Sequence, residues 1–268
     1  MRHMLAGENA ALITPKQLKK DEFGAFVTQT IGAHKSVAAY DINYYCPRYL
    51  YPTADRKDLF AHYELQERQL NLNPRLVAAL AQAHGQEPTP EEIFHYIYAV
   101  LYAPTYRQKY AEFLRMDFPR VPFTADARLF GELAALGARL TALHLLNSPE
   151  LDPPVCRFEG QGDGRIAKGK KAGLRYEATE QRVYINATQY FSPVSEAVWS
   201  YRVGGYQVCE KWLKDRRERR LELDDIRTYC RIATALKRTL EIQEPIDAVY
   251  PDVEKSIVTI SSAKAEPK

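Results

Sequence analysis

The chain has 268 residues, of which 46% are hydrophobic and 26% are charged. This composition supports a packed core and excludes a globally disordered chain, and the length allows one large domain or two small ones. The formal net charge is only +3, so the overall charge does not by itself indicate a nucleic-acid partner.

The four cysteines, at positions 46, 156, 209 and 230, are far apart and form no CxxC pair. This spacing argues against a structural zinc site. Because no signal peptide is visible, we expect these residues to be thiols in a reducing compartment. No apolar run approaches the roughly 18 residues of a membrane span, so we expect a cytoplasmic protein without a membrane partner.

Residues 1–52 are predicted to form strands and turns. Residues 10–14 are a short apolar run, and residues 37–51 are rich in the Tyr and Val that strands favour. Between them, residues 26–31 alternate loosely between apolar and polar side chains. These patterns predict three short strand regions before the first helix.

Helical signals dominate residues 53–152 after a polar segment at 53–70. Asn73-Pro74 is a capping pair, Thr89 and Glu92 form a capping box, and Thr124 is predicted to cap a long Ala- and Leu-rich helix. The two prolines between 116 and 123 predict an extended connector, because proline breaks a helix. Helices are predicted at 75–84, 93–102, 104–115 and 124–146.

The pattern changes again in residues 153–260. Short strands separated by glycine-rich turns are predicted at 155–158, 173–177, 182–186 and 199–203. Helices are predicted at 206–215, 223–239 and 245–253. Residues 261–268 are expected to be a flexible tail. The segments 1–52, 53–152 and 153–260 are either separate parts or one domain.

This order of elements predicts an α+β fold. We expect short antiparallel or mixed strands at the N-terminus and in the 155–205 region, a central helical segment and C-terminal helices. Gly204-Gly205 is expected to form a turn with a positive φ or a close backbone approach.

The motifs of the common catalytic sites are missing. The chain has no GxGxxG or GxxxxGK[ST] loop for phosphates, and no GxSxG, HExxH or DxDxDG sequence. Pro251-Asp252 with Glu254-Lys255 is too tightly spaced for the metal site of a PD-(D/E)xK nuclease. The six histidines have no ligand spacing. We therefore expect no catalytic residue and no metal site in this chain.

Positive charge is clustered in two places. Arg165, Lys168, Lys170, Lys171 and Arg175 surround a glycine-rich loop between two predicted strands. Attraction to phosphate needs charge and reach more than a defined geometry. The loop is therefore interpreted as a contact to DNA phosphates, and a solvated surface loop is the alternative.

The second cluster lies near the end of a predicted helix and consists of Lys211, Lys214, Arg216, Arg217, Arg219 and Arg220. The first four of these are candidate phosphate-binding residues. Cations also stabilise the C-terminus of a helix through its dipole, which gives a purely structural alternative.

A third candidate is the polar loop that contains Lys35, Ser36, Asp41, Asn43 and Tyr44. Lys, Asp and Asn are side chains that hydrogen-bond to base edges in the major groove. These residues are therefore candidates for base reading. Short polar side chains are also common turn formers, so a structural role in the loop is the alternative.

Three segments resemble the C-terminal specificity region of type ISP restriction–modification enzymes. They are residues 45–52, with the sequence YCPRYLYP, residues 93–123, which begin IFHYIYAVLYAPTYR, and residues 198–216, which begin VWSYRVGGYQV. Together they indicate a resemblance from about residue 1 to 255. Arg48 departs from the Leu that is common in the family, which leaves the packing around it open.

The second segment also has a plain structural interpretation. Tyr96, Tyr98, Tyr102, Tyr106 and Tyr110 recur about every four residues or less. This helical stripe is expected to pack between helices in the core.

The resemblance implies a parent protein with a nuclease, an ATP-driven translocase, an adenine-N6 methyltransferase and this target-recognition domain. The implied partners are double-stranded DNA and the methyltransferase and translocase domains, with residues 1–52 joining the methyltransferase. S-adenosylmethionine, ATP and Mg²⁺ are implied for the parent, and no cofactor is expected in this chain. The implied task is to read a short site and to position an adenine for methylation, or to license translocation and cleavage.

Two other functions stay open. A helical scaffold that joins subunits would show a large exposed apolar patch. An enzyme with an unrecognised active site, using carboxylates such as Asp163 or Glu177, would show a concave pocket with converging titratable groups.

Overall fold

The computed structural model describes residues 1–20, 22–33, 35–38, 40–52, 68–169 and 173–260. Most of the predicted polar segment at 53–70 and all of the predicted tail at 261–268 lie outside these ranges. The strands within them are β1 (Ala11–Pro15), β2 (Phe26–Thr28), β3 (Asn43–Pro47), β4 (Tyr49–Leu50), β5 (Gln69–Leu70), β6 (Arg157–Glu159), β7 (Arg175–Glu177), β8 (Arg182–Tyr184), β9 (Tyr190–Ser192), β10 (Arg202–Val203) and β11 (Tyr206–Gln207). The α-helices are α1 (Pro74–His84), α2 (Pro90–Tyr102), α3 (Pro104–Lys109), α4 (Ala111–Met116), α5 (Ala127–His144), α6 (Glu196–Ser200), α7 (Val208–Lys214) and α8 (Leu223–Val253).

The N-terminal strands form an antiparallel sheet with β1 between β2 and β3. Ala11 pairs with Thr28 on one side and with Pro47 on the other. Ala11 and Ile13 are buried, so the sheet has an inward face. The hydroxyl of Tyr102 donates to the carbonyl of Ala25 at 2.8 Å, which attaches helix α2 to the segment before β2.

Helices α2 and α5 form the centre of a first core. The predicted tyrosine stripe is confirmed for Tyr96, Tyr98, Tyr102 and Tyr106, which are all at most 1% exposed, and Tyr110 at its end is half-buried against the same core. Burying these large rings contributes much of the apolar surface of the core. The capping box that opens α2 is also confirmed.

The hydroxyl groups of this stripe reach the extended connector between α4 and α5. Tyr96 donates to the carbonyl of Pro122 at 2.8 Å, and Tyr106 donates to the carbonyl of Arg120 at 3.1 Å. These bonds satisfy hydroxyls that would otherwise be buried without a partner. The connector is extended, as its two prolines predict.

The second core lies between a four-stranded antiparallel sheet, in the order β6-β9-β8-β7, and helices α6, α7 and α8. Strands β6, β7 and β8 confirm the strands predicted at 155–158, 173–177 and 182–186. Strand β9 has no counterpart among the predicted strands.

Three predicted elements are wrong in detail. Of the strand predicted at 199–203, only Arg202–Val203 forms a strand, β10, and residues 199–200 are the end of α6, whose N-terminus is capped by the Ser195 side chain accepting from the Val198 N–H. The cap of α5 is Asp126, which accepts from the Leu129 N–H at 3.0 Å. Thr124 instead accepts from the Asp126 N–H. The helix predicted at 104–115 is divided at Tyr110 into α3 and α4.

Helix α8 joins the two cores. Its N-terminal half packs into the second core, and its C-terminal half, including Ile242, Ile246 and Tyr250, packs into the first. The prediction of two helices separated before Pro245 is wrong, because α8 is continuous through this residue. Proline removes one hydrogen bond from a helix. In α8 the residues before and after Pro245 are buried in the two cores, and this packing keeps the helix continuous.

Arg48 lies between the first sheet and α2. Its guanidinium is 3.3 Å from a carboxylate oxygen of Glu91 and lies over the ring of Tyr49, 4.9 Å from its centroid. The Tyr49 hydroxyl donates to the same carboxylate at 2.7 Å. An ion pair thus takes the place of the apolar contact that Leu would make.

The α+β prediction is confirmed, since helices and small antiparallel sheets occur in one chain. None of the helices in the described ranges has both the length and the apolarity that crossing a bilayer requires.

Candidate nucleic-acid interface

The two predicted basic clusters come together in the structure. Residues 164–166 lie beside residues 218–221, which follow α7, and the two segments are joined by backbone hydrogen bonds. Ile166 donates to the carbonyl of Arg219 at 3.0 Å, and Leu221 donates to that of Gly164 at 2.9 Å. Two clusters about 50 residues apart in sequence therefore form one surface, which we call the basic surface.

The basic surface carries five exposed cations, Arg165, Lys168, Arg217, Arg219 and Arg220. Arg165 and Lys168 form exposed ion pairs with Asp163 and Glu218, at 3.7 and 3.5 Å respectively. Exposed pairs of this kind contribute little and exchange readily for another anion.

The three arginines at 217, 219 and 220 have no acidic partner among the described side chains. Three long, unpaired guanidinium groups on one turn create a local excess of positive charge. Such an excess attracts a polyanion at long range and gives bidentate contacts to phosphate at short range.

The other predicted phosphate-binding residues of the second cluster have internal partners. Lys211 pairs with Asp215, and Lys214 pairs with Glu210 at 2.7 Å. Arg216 is half-buried, 3.1 Å from Asp225 of α8, and lies 3.6 Å from the ring centroid of Trp212. The contacts of Arg216 connect α7 to α8, so a structural role accounts for its position.

In the first cluster, Arg175 is half-buried. Its guanidinium lies 3.7 Å from the ring centroid of Tyr184 and donates to the carbonyl of Asn186 at 3.2 Å. Lys170 and Lys171 lie outside the described residues, and their assignment to phosphate binding stays a prediction.

The candidate base-reading loop divides into inward and outward side chains. Asp41 and Asn43 are 9% and 4% exposed. Asp41 accepts from the Lys19 N–H at 3.0 Å, and the amide oxygen of Asn43 accepts from the N–H groups of Val37 and Ala38. These bonds fix the backbone of the loop.

Ser36 has a similar role, because its hydroxyl donates to the carbonyl of Ala33 at 2.6 Å. Lys35 and Tyr44 are exposed. Of the five candidate base-reading residues, these two therefore have side chains that an external ligand could reach without a change in the loop.

The outward side chains of this loop line a concave surface that sequence reasoning missed. We call it the lysine-rimmed hollow, and it is lined by Lys16, Gln17, Lys19, Lys35, Tyr40, Asp41, Ile42 and Tyr44. Two features of the sequence could have indicated this hollow. One is the lysine cluster at 16–20, and the other is the alternation of large residues with small polar residues from 40 to 44. Neither shows which side chains of the loop point outward.

The hollow and the basic surface are connected by β11 and α7. The Tyr206 hydroxyl donates to the carbonyl of Lys35 at 3.3 Å, and the Lys211 ammonium lies 5.4 Å from the ring centroid of Tyr206. Gly204 has φ +57, as expected, and a Cβ at this position would lie 2.3 Å from the carbonyl oxygen of Val37. A continuous series of contacts thus runs from the loop at 35–44 to the turn after α7.

The carboxylates considered for an unrecognised active site do not converge. Asp163 and Glu177 are both exposed, and Asp163 is engaged with Arg165. Within the described parts of the chain, no group of three or more His, Cys, Asp or Glu side chains could hold a metal ion.

Comparison with solved structures finds the same fold in DNA complexes. A cryoEM structure of a DrdV–DNA complex matches with a TM-score of 0.63 and 22% identity over 92% of this chain and 25% of that chain. A nuclease-deletion mutant of the Type ISP restriction-modification enzyme LlaGI, in complex with a DNA substrate mimic, matches with a TM-score of 0.60 and 19% identity over 90% of this chain and 21% of the other.

A third structure is the ATP-dependent Type ISP restriction-modification enzyme LlaBIII bound to DNA. It matches with a TM-score of 0.67 and 16% identity, over 90% of this chain and 16% of the other. The chain therefore spans a quarter or less of each of these proteins. At these identities the likeness shows the fold alone.

No curated protein matches the chain. The family model for the Type ISP C-terminal specificity domain matches residues 1–244. This range contains all three segments in which the sequence resembles that family. The chain belongs to the Type ISP C-terminal specificity domain family.

Proposed function

We propose that this chain is the part of a Type ISP restriction–modification enzyme that binds double-stranded DNA and recognises its target site. The observation that carries the proposal is the basic surface, in which two loops distant in sequence bring five exposed cations together, three of them arginines without acidic partners among the described side chains. The family assignment supports it, as do the DNA complexes formed by proteins of the same fold.

In this proposal the basic surface contacts phosphates, and the loop at 35–44 faces the bases. Phosphate contacts give affinity without sequence information, whereas contacts to the bases specify the site. The other cations of the first cluster, Lys170, Lys171 and Arg175, belong to the same proposed set of phosphate-binding residues.

The rest of the parent protein supplies the chemistry. The methyltransferase and translocase domains, with their S-adenosylmethionine, ATP and Mg²⁺, are proposed to lie outside this chain and to act on the DNA that it positions. We place the protein in the cytoplasm, where a restriction–modification enzyme would meet its DNA. Recognition would position an adenine for N6 methylation or license translocation and cleavage.

The test is a titration of labelled duplex DNA with the 268-residue chain over a range of salt concentrations. Replacing Arg217, Arg219 and Arg220 together by Ala should raise the dissociation constant at least about tenfold at low salt. It should also reduce the slope of log K against log salt by about 1 for each phosphate that the variant no longer neutralises.

The matched control replaces three exposed cations on other elements, Arg75, Arg128 and Lys255, by Ala. Both variants lose three positive charges, so a difference between them reports position and not net charge. Equal weakening by the two variants would refute the basic surface as the binding site. Absence of salt-dependent binding by the unmodified chain would refute the proposed function.

A further inference from the structure

Residues 40–44, which run from the loop into the first residues of β3, present apolar side chains outward and polar side chains inward. Tyr40, Ile42 and Tyr44 are 60%, 61% and 41% exposed, while Asp41 and Asn43 between them are buried. Alternation with a period of two is expected of extended backbone, but an exposed loop normally has the opposite polarity. The side chains that this loop offers to a ligand are therefore two aromatic rings and a branched aliphatic group.

This arrangement is held firmly by the protein. Asp41 accepts from the backbone of Lys19, and Asn43 accepts from two backbone N–H groups of the same loop. Tyr44 packs edge-on against Phe118, with the ring centroids 5.1 Å apart. Exposing large apolar groups to water is unfavourable. Because the backbone of this segment holds them in exposed positions, we infer that they are arranged for contact with a ligand.

Positive charge surrounds these apolar side chains. Lys16, Lys19, Lys20 and Lys35 are all exposed, and none has an acidic partner among the side chains that the structure describes. The Lys16 ammonium lies 5.7 Å from the ring centroid of Phe118, and that of Lys20 lies 5.3 Å from the ring centroid of Tyr40. Four such ammonium groups around exposed rings are complementary to a ligand that has both anionic groups and flat apolar faces.

A nucleic-acid strand with unstacked bases has both anionic groups and flat apolar faces. Its phosphates match the lysines, and its base faces match aromatic rings, which stack on any base. An intact duplex covers its base faces and presents polar edges, whereas Tyr40, Ile42 and Tyr44 offer only two hydroxyl groups to read such edges. The apolar tips are thus better suited to base faces than to base edges.

We propose that the lysine-rimmed hollow binds unpaired or unstacked DNA bases, with Tyr40, Ile42 and Tyr44 stacking on them and the four lysines holding the adjacent phosphates. The inference rests on the proposed function and makes it more specific. The hollow would stabilise a local distortion of the target, next to the duplex held by the basic surface. Wedges of apolar side chains stabilise unstacked base steps in the same physical way.

The test compares two DNAs of equal length, an intact duplex and the same duplex with three central mismatched pairs. Stacking is tolerant of sequence, so no knowledge of the recognition site is needed. The 268-residue chain should bind the mismatched DNA about tenfold more tightly than the duplex. Replacing Tyr40, Ile42 and Tyr44 by Ala should remove this preference, so that the variant binds the mismatched DNA and the intact duplex with equal affinity.

Two further variants separate stacking by the rings from hydrogen bonding by their hydroxyls. The double variant Tyr40→Phe, Tyr44→Phe keeps both rings, so it should retain the preference for mismatched DNA. If the preference came from hydrogen bonds of the hydroxyl groups, this variant would lose it. Leu70→Ala, on β5 and as exposed as Tyr44 at 41%, should change neither affinity. In addition, 2-aminopurine in the mismatched stretch should lose fluorescence on binding to the unmodified chain and not to the triple Ala variant.

The possible failures are distinguishable. Equal binding of the two DNAs with salt-dependent affinity would overturn the inference and leave the proposed function intact. If the hollow docks a protein instead, the triple Ala variant would leave both DNA affinities unchanged, which also overturns the inference. Failure to bind either DNA would overturn both proposals.

Discussion

His144 is the side chain whose protonation should most affect the fold. Thr239 donates its hydroxyl hydrogen to the carbonyl of Ala235, so its oxygen accepts from the Nε2–H of His144 at 2.8 Å. Nδ1 of His144 then accepts from the Tyr98 hydroxyl at 2.6 Å. Burial, with a contribution from nearby Arg107, lowers the pKa of His144 from 6.5 to about 3.

This lowered pKa predicts a loss of stability on acidification. Below pH 6.5 the unfolded chain takes up a proton at His144 that the native chain does not accept until about pH 3, so the unfolded state is favoured as the pH falls through that range. Between pH 7.5 and 5 the contribution is about 2 kcal/mol. Urea denaturation at the two pH values should show that His144→Gln loses less stability than the unmodified chain. An equal loss in both proteins would contradict the assignment.

At the scale of elements, the packing of α2 against α5 depends on one glycine. A Cβ on Gly137 would lie 1.9 Å from the carbonyl oxygen of His95, on the neighbouring helix. Because backbone cannot yield as a flexible side chain does, Gly137→Ala should destabilise the protein by at least about 2 kcal/mol.

The same helix provides the control. Gly131 is exposed and has open space around its Cα, so Gly131→Ala should stabilise the protein by about 0.5–1 kcal/mol through helix propensity. The two midpoints of thermal or urea denaturation should therefore move in opposite directions. If both substitutions raise the midpoint, α2 and α5 do not pack as closely as described.

These elements also show what the sequence alone could predict. The capping box of Thr89 and Glu92 and the connector with two prolines are local signals, and both predict the structure that is observed. The continuity of α8 through Pro245 depends on burial of both of its halves in different cores, which local propensity does not contain. A tertiary environment of this kind commonly overrides propensity.

In the candidate site, too, the local signals could be predicted from the sequence and the long-range contacts could not. The two basic clusters can be recognised from their composition, but their union depends on the pairing of 164–166 with 218–221, which is a long-range contact. In the loop at 35–44, the residue types Asp41 and Asn43 suggest base reading, and the structure gives them backbone partners. Which side chains of a loop point outward depends on its register, and composition does not determine that.

At the scale of the whole molecule, α8 should make the two cores unfold together. Its residues Tyr229 and Leu236 belong to the second core, and Ile246 and Tyr250 belong to the first. Most of the stability of a helix in a protein comes from packing of its apolar face. If one core unfolds, the half of α8 that packs against it loses its partner, and the whole helix is destabilised. We therefore expect one cooperative transition.

The chain offers separate spectroscopic reporters for the two cores. Its two tryptophans, Trp199 and Trp212, both pack against the second core, whereas α2 and α5 of the first core contribute much of the helical ellipticity. The fluorescence and ellipticity transitions of the unmodified chain should coincide in urea. Agreement between probes that report different regions is a standard test of two-state unfolding.

A substitution at the first-core end of α8 makes the test sharper. Ile246 is fully buried, so Ile246→Ala should cost about 2–5 kcal/mol and should lower the midpoint of the tryptophan transition although both tryptophans lie in the other core. Lys237→Ala, at an exposed position of the same helix, should leave both midpoints nearly unchanged. A shift of the ellipticity transition alone would mean that the cores unfold independently, and that residues 1–152 and 153–260 behave as separate domains.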